Sequence, residues 1–228
     1  MATRVVRGFV CLSLLLALGL VPGCASGPPP TPTELGLAAL EAGDWRLAKT
    51  HFAAALEANE SNGVAWHGQA RAQLAGRDPE AALASLGRLS KVEPTRFRDA
   101  ALPTYQEALD RAARHRLDRD QSEAALQAVR ALAKLEPARR GLPRLLGQTL
   151  LAEANRLRLR GRRDAAFALL KEACSVTPGT LEVWVGAAEI LLEKRQGKKA
   201  IRLLEQARKQ HPTAGSIRTL TLQAMRVR

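Results

Sequence analysis

The side chains best suited to proton transfer, nucleophilic attack or metal binding are four histidines (His51, His67, His115, His211) and three cysteines (Cys11, Cys24, Cys174). Imidazole titrates near neutral pH, and imidazole and thiolate both ligate zinc. Such chemistry needs several groups to converge, and the spacing offers no convergence. The histidines are isolated from one another, and the carboxylates are spread without an evident pair. The chain has no His-Glu-x-x-His, no Gly-x-Ser-x-Gly and no glycine-rich phosphate loop ending in Gly-Lys-Ser/Thr. The expectation is a protein that is not an enzyme, with no cofactor and no metal. Cys174 falls among Leu170, Ala173 and Val176 on a helix face, so it is expected to be a small core residue.

The remaining thiol of interest is Cys24. Arg4 and Arg7 precede an apolar run from Phe9 to Val21, 13 residues long. That is short of the roughly 20 residues that span a bilayer, and a small-residue site follows, the pattern of a secretory signal peptide. The run ends Val21-Pro22-Gly23-Cys24, which resembles the lipobox of bacterial lipoproteins. The resemblance implies cleavage after residue 23 and lipidation of Cys24. Residue 25 is alanine rather than the aspartate of inner-membrane retention. By the same resemblance the protein is expected on the periplasmic side of the outer membrane, anchored by lipid. Gly27, Pro28, Pro29, Pro30 and Pro32 then form an extended tether. At about 3.1 Å per residue it spans on the order of 20 Å.

Such residues must otherwise be placed by helices. Aromatics are only 4% of the chain, and the helix formers Ala, Leu, Arg, Glu and Gln dominate. Five alanines, Ala48, Ala82, Ala125, Ala166 and Ala200, recur at spacings of 34, 43, 41 and 34 residues. Twelve positions before each lies a small residue: Gly36, Ala70, Ala113, Ala154 and Ala188. Four positions after each lies a larger apolar residue: Phe52, Leu86, Val129, Leu170 and Leu204. Prolines at 94, 137, 178 and 212 close four of the units. Small residues on facing helices allow close antiparallel approach. Apolar residues at i, i+4 and i+7 make one face that stacking must bury. Each unit is thus predicted to be two helices, with breaks at Gly43-Asp44, Gly76 to Pro79, Asp118 to Asp120, Gly161 and Gly197. The third and fourth units carry extra residues around Thr95–Pro103 and Ala138–Leu146, expected as longer first helices or an added turn.

Trp66, Ala70, Ala82, Leu86, Leu89 and Pro94, and again Trp184, Ala188, Ala200, Leu204, Ala207 and Pro212, resemble the tetratricopeptide repeat (TPR). The resemblance implies an all-α fold: a right-handed α-solenoid of about five TPR-like helix pairs plus a C-terminal capping helix. The expected organisation is residues 1–23 as signal peptide, 24–32 as lipidated cysteine and tether, 33–212 as solenoid and 213–228 as cap. The cap, from Ala214 to Val227, should turn Arg218, Gln223 and Arg226 outward. Glu60 stands where proline is usual and Glu153 where an apolar residue is usual.

In this family the first helices of the pairs line a groove that receives a peptide or partner helix. Carried over unit by unit, the groove positions are His67 and Arg71; Asp110, Arg111 and Arg114; Leu151, Asn155 and Arg158; Val185 and Glu189. Arg71, Arg114 and Asn155 loosely resemble the clamp that holds a peptide's terminal carboxylate, which makes an acidic or C-terminal peptide the expected ligand. The formal charge of +13 falls to +11 once residues 1–23 are removed. Outside the cytoplasm that charge points away from nucleic acid. It points toward protein partners or anionic envelope polymers and lipid headgroups. Two clusters carry much of it: Arg156, Arg158, Arg160, Arg162 and Arg163, and Lys194, Arg195, Lys198 and Lys199. Arg156, Arg160 and Arg163 would share a face if their helix persisted to 163, and both clusters are expected near helix C-termini, where the dipole favours cations. The functional expectation is a non-catalytic scaffold or adaptor for a cell-envelope machine. Lipoproteins with this repeat act as pilotins, as barrel-assembly partners and as scaffolds for peptidoglycan enzymes. The alternative is a binder of envelope polymers.

Overall fold

The short turn within each helix pair is built on a left-handed residue, joined in the first two pairs by a capping aspartate. The structure, a computed structural model, describes residues 28–227. The signal peptide and Cys24 lie outside the described residues. The chain divides into two units, Met1–Pro30 and Thr31–Arg228. In the second, helix α1 (Pro32–Glu41) pairs with α2 (Trp45–Ala58), and α3 (Gly63–Ala75) with α4 (Pro79–Val92). A short turn α5 (Pro94–Arg96) and a π-helical turn (Phe97–Ala101) lead into α6 (Leu102–Leu117), which pairs with α7 (Ser122–Leu135). Then α8 (Leu142–Leu159) pairs with α9 (Arg163–Val176), and α10 (Leu181–Glu193) with α11 (Gly197–Gln210). A single helix, α12 (Gly215–Arg226), follows. The fold is an all-α solenoid of TPR-like helix pairs, as the recurring alanines predict.

The first pair shows how the local sequence sets the boundaries. Thr31 and Glu34 form a reciprocal capping box, in which the Glu34 carboxylate accepts from the Thr31 amide at 2.8 Å. Pro32, assigned to the tether above, is the first residue of α1, a position that needs no N–H. Gly43 takes φ +78°, and Asp44 accepts from the Leu47 amide at 3.0 Å. The second pair repeats the device with Asp78 as cap and Pro79 after it. The left-handed turn residue is a glycine again at Gly161, but it is Arg77, Asp120 and Arg195 in the other three units. The fifth break therefore falls at Arg195 and not at Gly197, which is the first residue of α11. Gly197 is small for a different reason: a side chain there would run into the carbonyls of Ala224 and Val227, where α12 ends.

The recurring alanines and the small residues opposite them form the core. Ala48, Ala82, Ala125, Ala166 and Ala200 are fully buried, and so are Ala70, Ala113, Ala154 and Ala188 opposite them. Phe52 lies across Gly36 and Gly68, whose missing side chains give the ring its space. Two tryptophans staple successive pairs: Trp66 donates to the Glu60 carbonyl at 2.8 Å, and Trp184 to the Pro178 carbonyl at 2.9 Å. Glu60 thus does with its backbone what proline's carbonyl does in the other unit, so the missing proline costs the turn nothing essential.

The extra residues of the third and fourth units extend the first helices. In the third, α5 and the π turn prolong α6 toward α4, and Phe97 meets Tyr105 edge to face at 5.3 Å. In the fourth, a turn with Gly141 at φ +83° precedes an 18-residue α8. Glu153, out of pattern in sequence, is buried in α8. It accepts from the Ser122 hydroxyl at 2.8 Å and from Arg156 at 2.5 Å. Those hydrogen bonds, Arg156 first, hold its carboxyl below the usual range despite burial. Cys174 is buried, as expected, and desolvation pushes its thiol up to about 12, so it is not a nucleophile at neutral pH.

Candidate peptide groove

The groove residues belong to α3, α6, α8 and α10, the first helices of their pairs. In each helix a fully buried alanine (Ala70, Ala113, Ala154, Ala188) presses against the pair's second helix. The next residue is thereby turned away from that contact. Those residues are Arg71, Arg114, Asn155 and Glu189, in one register along four helices. Arg71 and Asn155 are exposed and make no side-chain hydrogen bond or ion pair among the described residues. One turn earlier stand His67, Asp110, Leu151 and Val185.

Several of these side chains are tied across helices. His67 Nε2 lies 2.9 Å from the Thr104 hydroxyl, joining α3 to α6. Arg111 donates to the Leu74 carbonyl of α3 at 2.8 Å and to Glu107 at 2.6 Å. Arg114 grips Asp110 through Nε at 2.9 Å, and Asp110 also has Arg139 at 3.9 Å. Arg158 reaches from α8 to α10, pairing with Glu189 at 2.7 Å and Glu193 at 2.8 Å. The surface is therefore mixed in charge: three of its arginines bring their own carboxylates. Among the described residues no hydrogen bond or ion pair links Arg71, Arg114 and Asn155 to one another. The unneutralised donors are Arg71 and Asn155, with the outer part of Arg114.

The electrostatics follow from these contacts. Burial, then the nearby Arg71 and Arg96, depress the His67 pKa below the ordinary imidazole value, which favours the neutral ring. The hydrogen bond that Arg114 donates to Asp110 raises the arginine further. The hydrogen bond from Arg163, and then from Arg158, holds Glu193 low.

The basic clusters meet expectation only in part: Arg156 and Arg158 lie in the last turn of α8 and Lys194 caps the end of α10. Helix α8 ends at Leu159, so Arg156, Arg160 and Arg163 do not share one helix face; Arg163 opens α9. Arg156 is taken by Glu153 and Glu123, Arg163 by Glu193, and Lys194 by Asp164. Lys198 and Lys199 sit in the first turn of α11, at the helix N-terminus, where the dipole disfavours cations. The cross-repeat pairs are a feature that sequence reasoning misses. They join residues about one repeat apart, such as Arg116 to Glu80 at 2.7 Å and Arg130 to Glu172 at 2.7 Å, and only the stacking brings these together.

Residues 157–224 match the family model of the tetratricopeptide repeat. The match runs through the second helix of the fourth pair, the whole fifth pair and most of α12. No curated protein matches the sequence. Similar solved structures include TTC0263, a thermophilic TPR protein of Thermus thermophilus, with 26% identity, 85% of this chain and 97% of that chain covered, and a TM-score of 0.35. YrrB, described as a TPR protein with an unusual peptide-binding site, shares 16% identity over 84% of this chain and 88% of its own, with a TM-score of 0.41. Pseudomonas aeruginosa pilF shares 14% identity over 86% of this chain and 82% of its own, with a TM-score of 0.39.

Proposed function

We propose that the chain is a non-catalytic scaffold, anchored by lipid at Cys24 to the periplasmic side of the outer membrane, that holds a segment of a protein partner during assembly or regulation of a cell-envelope machine. The observation that carries the scaffold reading is the register of Arg71, Arg114 and Asn155. Each follows a buried alanine on successive first helices, and two of the three have donors without partners among the described residues. Free donors in such a row fit a carboxylate-bearing peptide, because a charge-assisted hydrogen bond is about twice as strong as a neutral one.

Fluorescence anisotropy with acidic peptides, each in free-carboxylate and C-terminally amidated form, tests this reading. The free form should bind at least several-fold more tightly. Arg71→Ala combined with Arg114→Ala should remove that difference. Equal binding of both peptide forms, or unchanged affinity in the double variant, overturns the groove assignment. Anchoring is tested separately by metabolic labelling with palmitate. The label and the membrane-fraction signal should both vanish in Cys24→Ala.

A second reading, binding of anionic envelope polymers, has one specific support. Lys198 and Lys199 lie where the helix dipole cannot account for them. Retention of the chain on peptidoglycan or lipid A, lost in moderate salt and in Lys198→Gln with Lys199→Gln, would favour it.

A further inference from the structure

Among the described residues, a helix at each end of the solenoid lacks the neighbour that its register calls for. The face that a first helix turns to the preceding pair is buried or half-buried in every later unit: its first position is Ala65, Ala108, Thr149 and Val183, all buried, and its second is Ala72, the half-buried His115 and Arg156, and Ile190. Examples are Ala65 and Ala72 in α3, which pack with Phe52, Ala55 and Leu56 of α2, and Val183 and Ile190 in α10. In the first unit the same positions are Thr31, the N-cap of α1, and Ala38, and both are exposed, as are the C-cap Ala42 and, at 37%, Leu35. At the other end, Ile217 and Ala224 show that α12 is itself a first helix, packed on the pair before it. No second helix follows it among the described residues. The positions that are Ala188 and Leu191 in α10, both buried, are Leu222 and Met225 in α12, 54% and 60% exposed. Arg218 lies one turn earlier on the same strip. Arg218, Gln223 and Arg226 are exposed as expected, but Leu222 and Met225 set an apolar strip among them.

We propose that α1 of one copy packs antiparallel on α12 of another, so that copies join head to tail. Three features select a second copy as the occupant. The sizes fit: Leu222 stands where the repeat has a small residue, and α1 offers Ala38 and Ala42 opposite it. The charges fit: α1 carries Glu34 and Glu41 and no base, while α12 carries Arg218 and Arg226 and no acid. The spacings fit: antiparallel pairing with Ala38 opposite Leu222 sets Glu34 level with Arg226 and Glu41 within one residue of Arg218. A cavity of about 510 Å³ between the end of α11 and α12, lined in part by Arg208, Arg218 and Leu222, adds a basic recess for the acidic helix. The polarity extends beyond the two helices. Seven bases accompany one acid in α11 and α12, whereas α1 and α2 hold three acids and two bases, with the capping Asp44 between them as a further acid. A symmetric contact of α12 with α12 would instead oppose like charges. The contact is heterologous, and such contacts make rings or open chains rather than closed dimers. One helix pair buries less than the roughly 1,200 Å² of a stable interface, so the association is weak and must be trapped.

The test uses the full chain with Ala38→Cys in one preparation and Leu222→Cys in another, under mild oxidation. Mixed, they should give a disulfide-linked heterodimer several-fold above the background of the unsubstituted chain. Each alone should give none above that background. Adding Glu41→Lys to the first should lower the yield several-fold, and Arg218→Glu in the second should restore it. All four positions are exposed, so the variants keep the core. A mixed yield no greater than background overturns the proposal. Equal dimerisation of Leu222→Cys alone overturns it in favour of a symmetric contact. A yield indifferent to the charge reversals overturns the register.

Discussion

Gly68 sits in the middle of α3, where glycine costs about 1 kcal/mol against alanine in helix propensity. It is kept because the Phe52 ring occupies the space its side chain would fill. Gly68→Ala is therefore expected to destabilise by about 1–3 kcal/mol through overpacking, against the propensity gain. Phe52→Leu should relieve part of that loss. A double-mutant cycle followed by thermal unfolding should show coupling well beyond additivity, and additive effects would contradict the contact. His67 gives a second check. Its folded pKa is depressed, so in the window below the unfolded value of about 6.5 the unfolded chain binds the extra proton. This group's contribution to stability is thus present above that value and is lost as pH falls through the folded pKa. Its ring resonance in an NMR titration should move at lower pH than that of a free imidazole. Arg71→Ala should raise the midpoint only partway, because burial is the larger cause and remains.

At the scale of the helix, the turns separate what was legible from what was not. Gly43-Asp44 and Asp78-Pro79 could be read directly, because capping and left-handed glycine are written in residue types. Gly197 could not. It looks like a turn glycine, yet Arg195 takes φ +54°, and Gly197 is needed by the far end of α12, a helix that begins only after α11 is complete. Two opposite outcomes follow. Arg195→Gly relieves a left-handed penalty of about 1–2 kcal/mol, less the roughly 0.5–1 kcal/mol that glycine gains in the unfolded chain, and should raise the melting temperature slightly. Gly197→Ala should destabilise by about 1–3 kcal/mol and so lower the melting temperature, since the carbonyls of Ala224 and Val227 must move. The π turn at Phe97–Ala101 had no signal beyond extra length. The groove positions were legible only as register. That Arg111, Arg114 and Arg158 carry carboxylates with them depends on side chains one turn or one repeat away, which the register alone does not specify.

For the whole molecule, the buried clusters form a row rather than a centre. Trp66 touches both the cluster around Phe52 and that around Leu86. Leu83 and Tyr105 join the second to the cluster around Val129. Leu146 joins that one to the large cluster around Leu170 and Ile190. Each pair therefore depends on its neighbours alone, and stability should vary along the chain. Among the described residues the terminal pair α1 and α2 is supported by a neighbouring pair only through α3, and its amides should exchange with solvent before those of α8 to α10. Ending the chain after Gln210 removes Ile217, Leu220 and Ala224 from the face of the last pair. At about 1.5–3 kcal/mol for each of the two large side chains, the local loss is at most about 3–6 kcal/mol. Hydrogen exchange should then show protection falling steeply in α10 and α11, less in α8 and α9, and hardly at all in α1 to α4. A uniform fall across all helices would mean that the row unfolds as one unit, and that the clusters are coupled more strongly than their few shared residues allow.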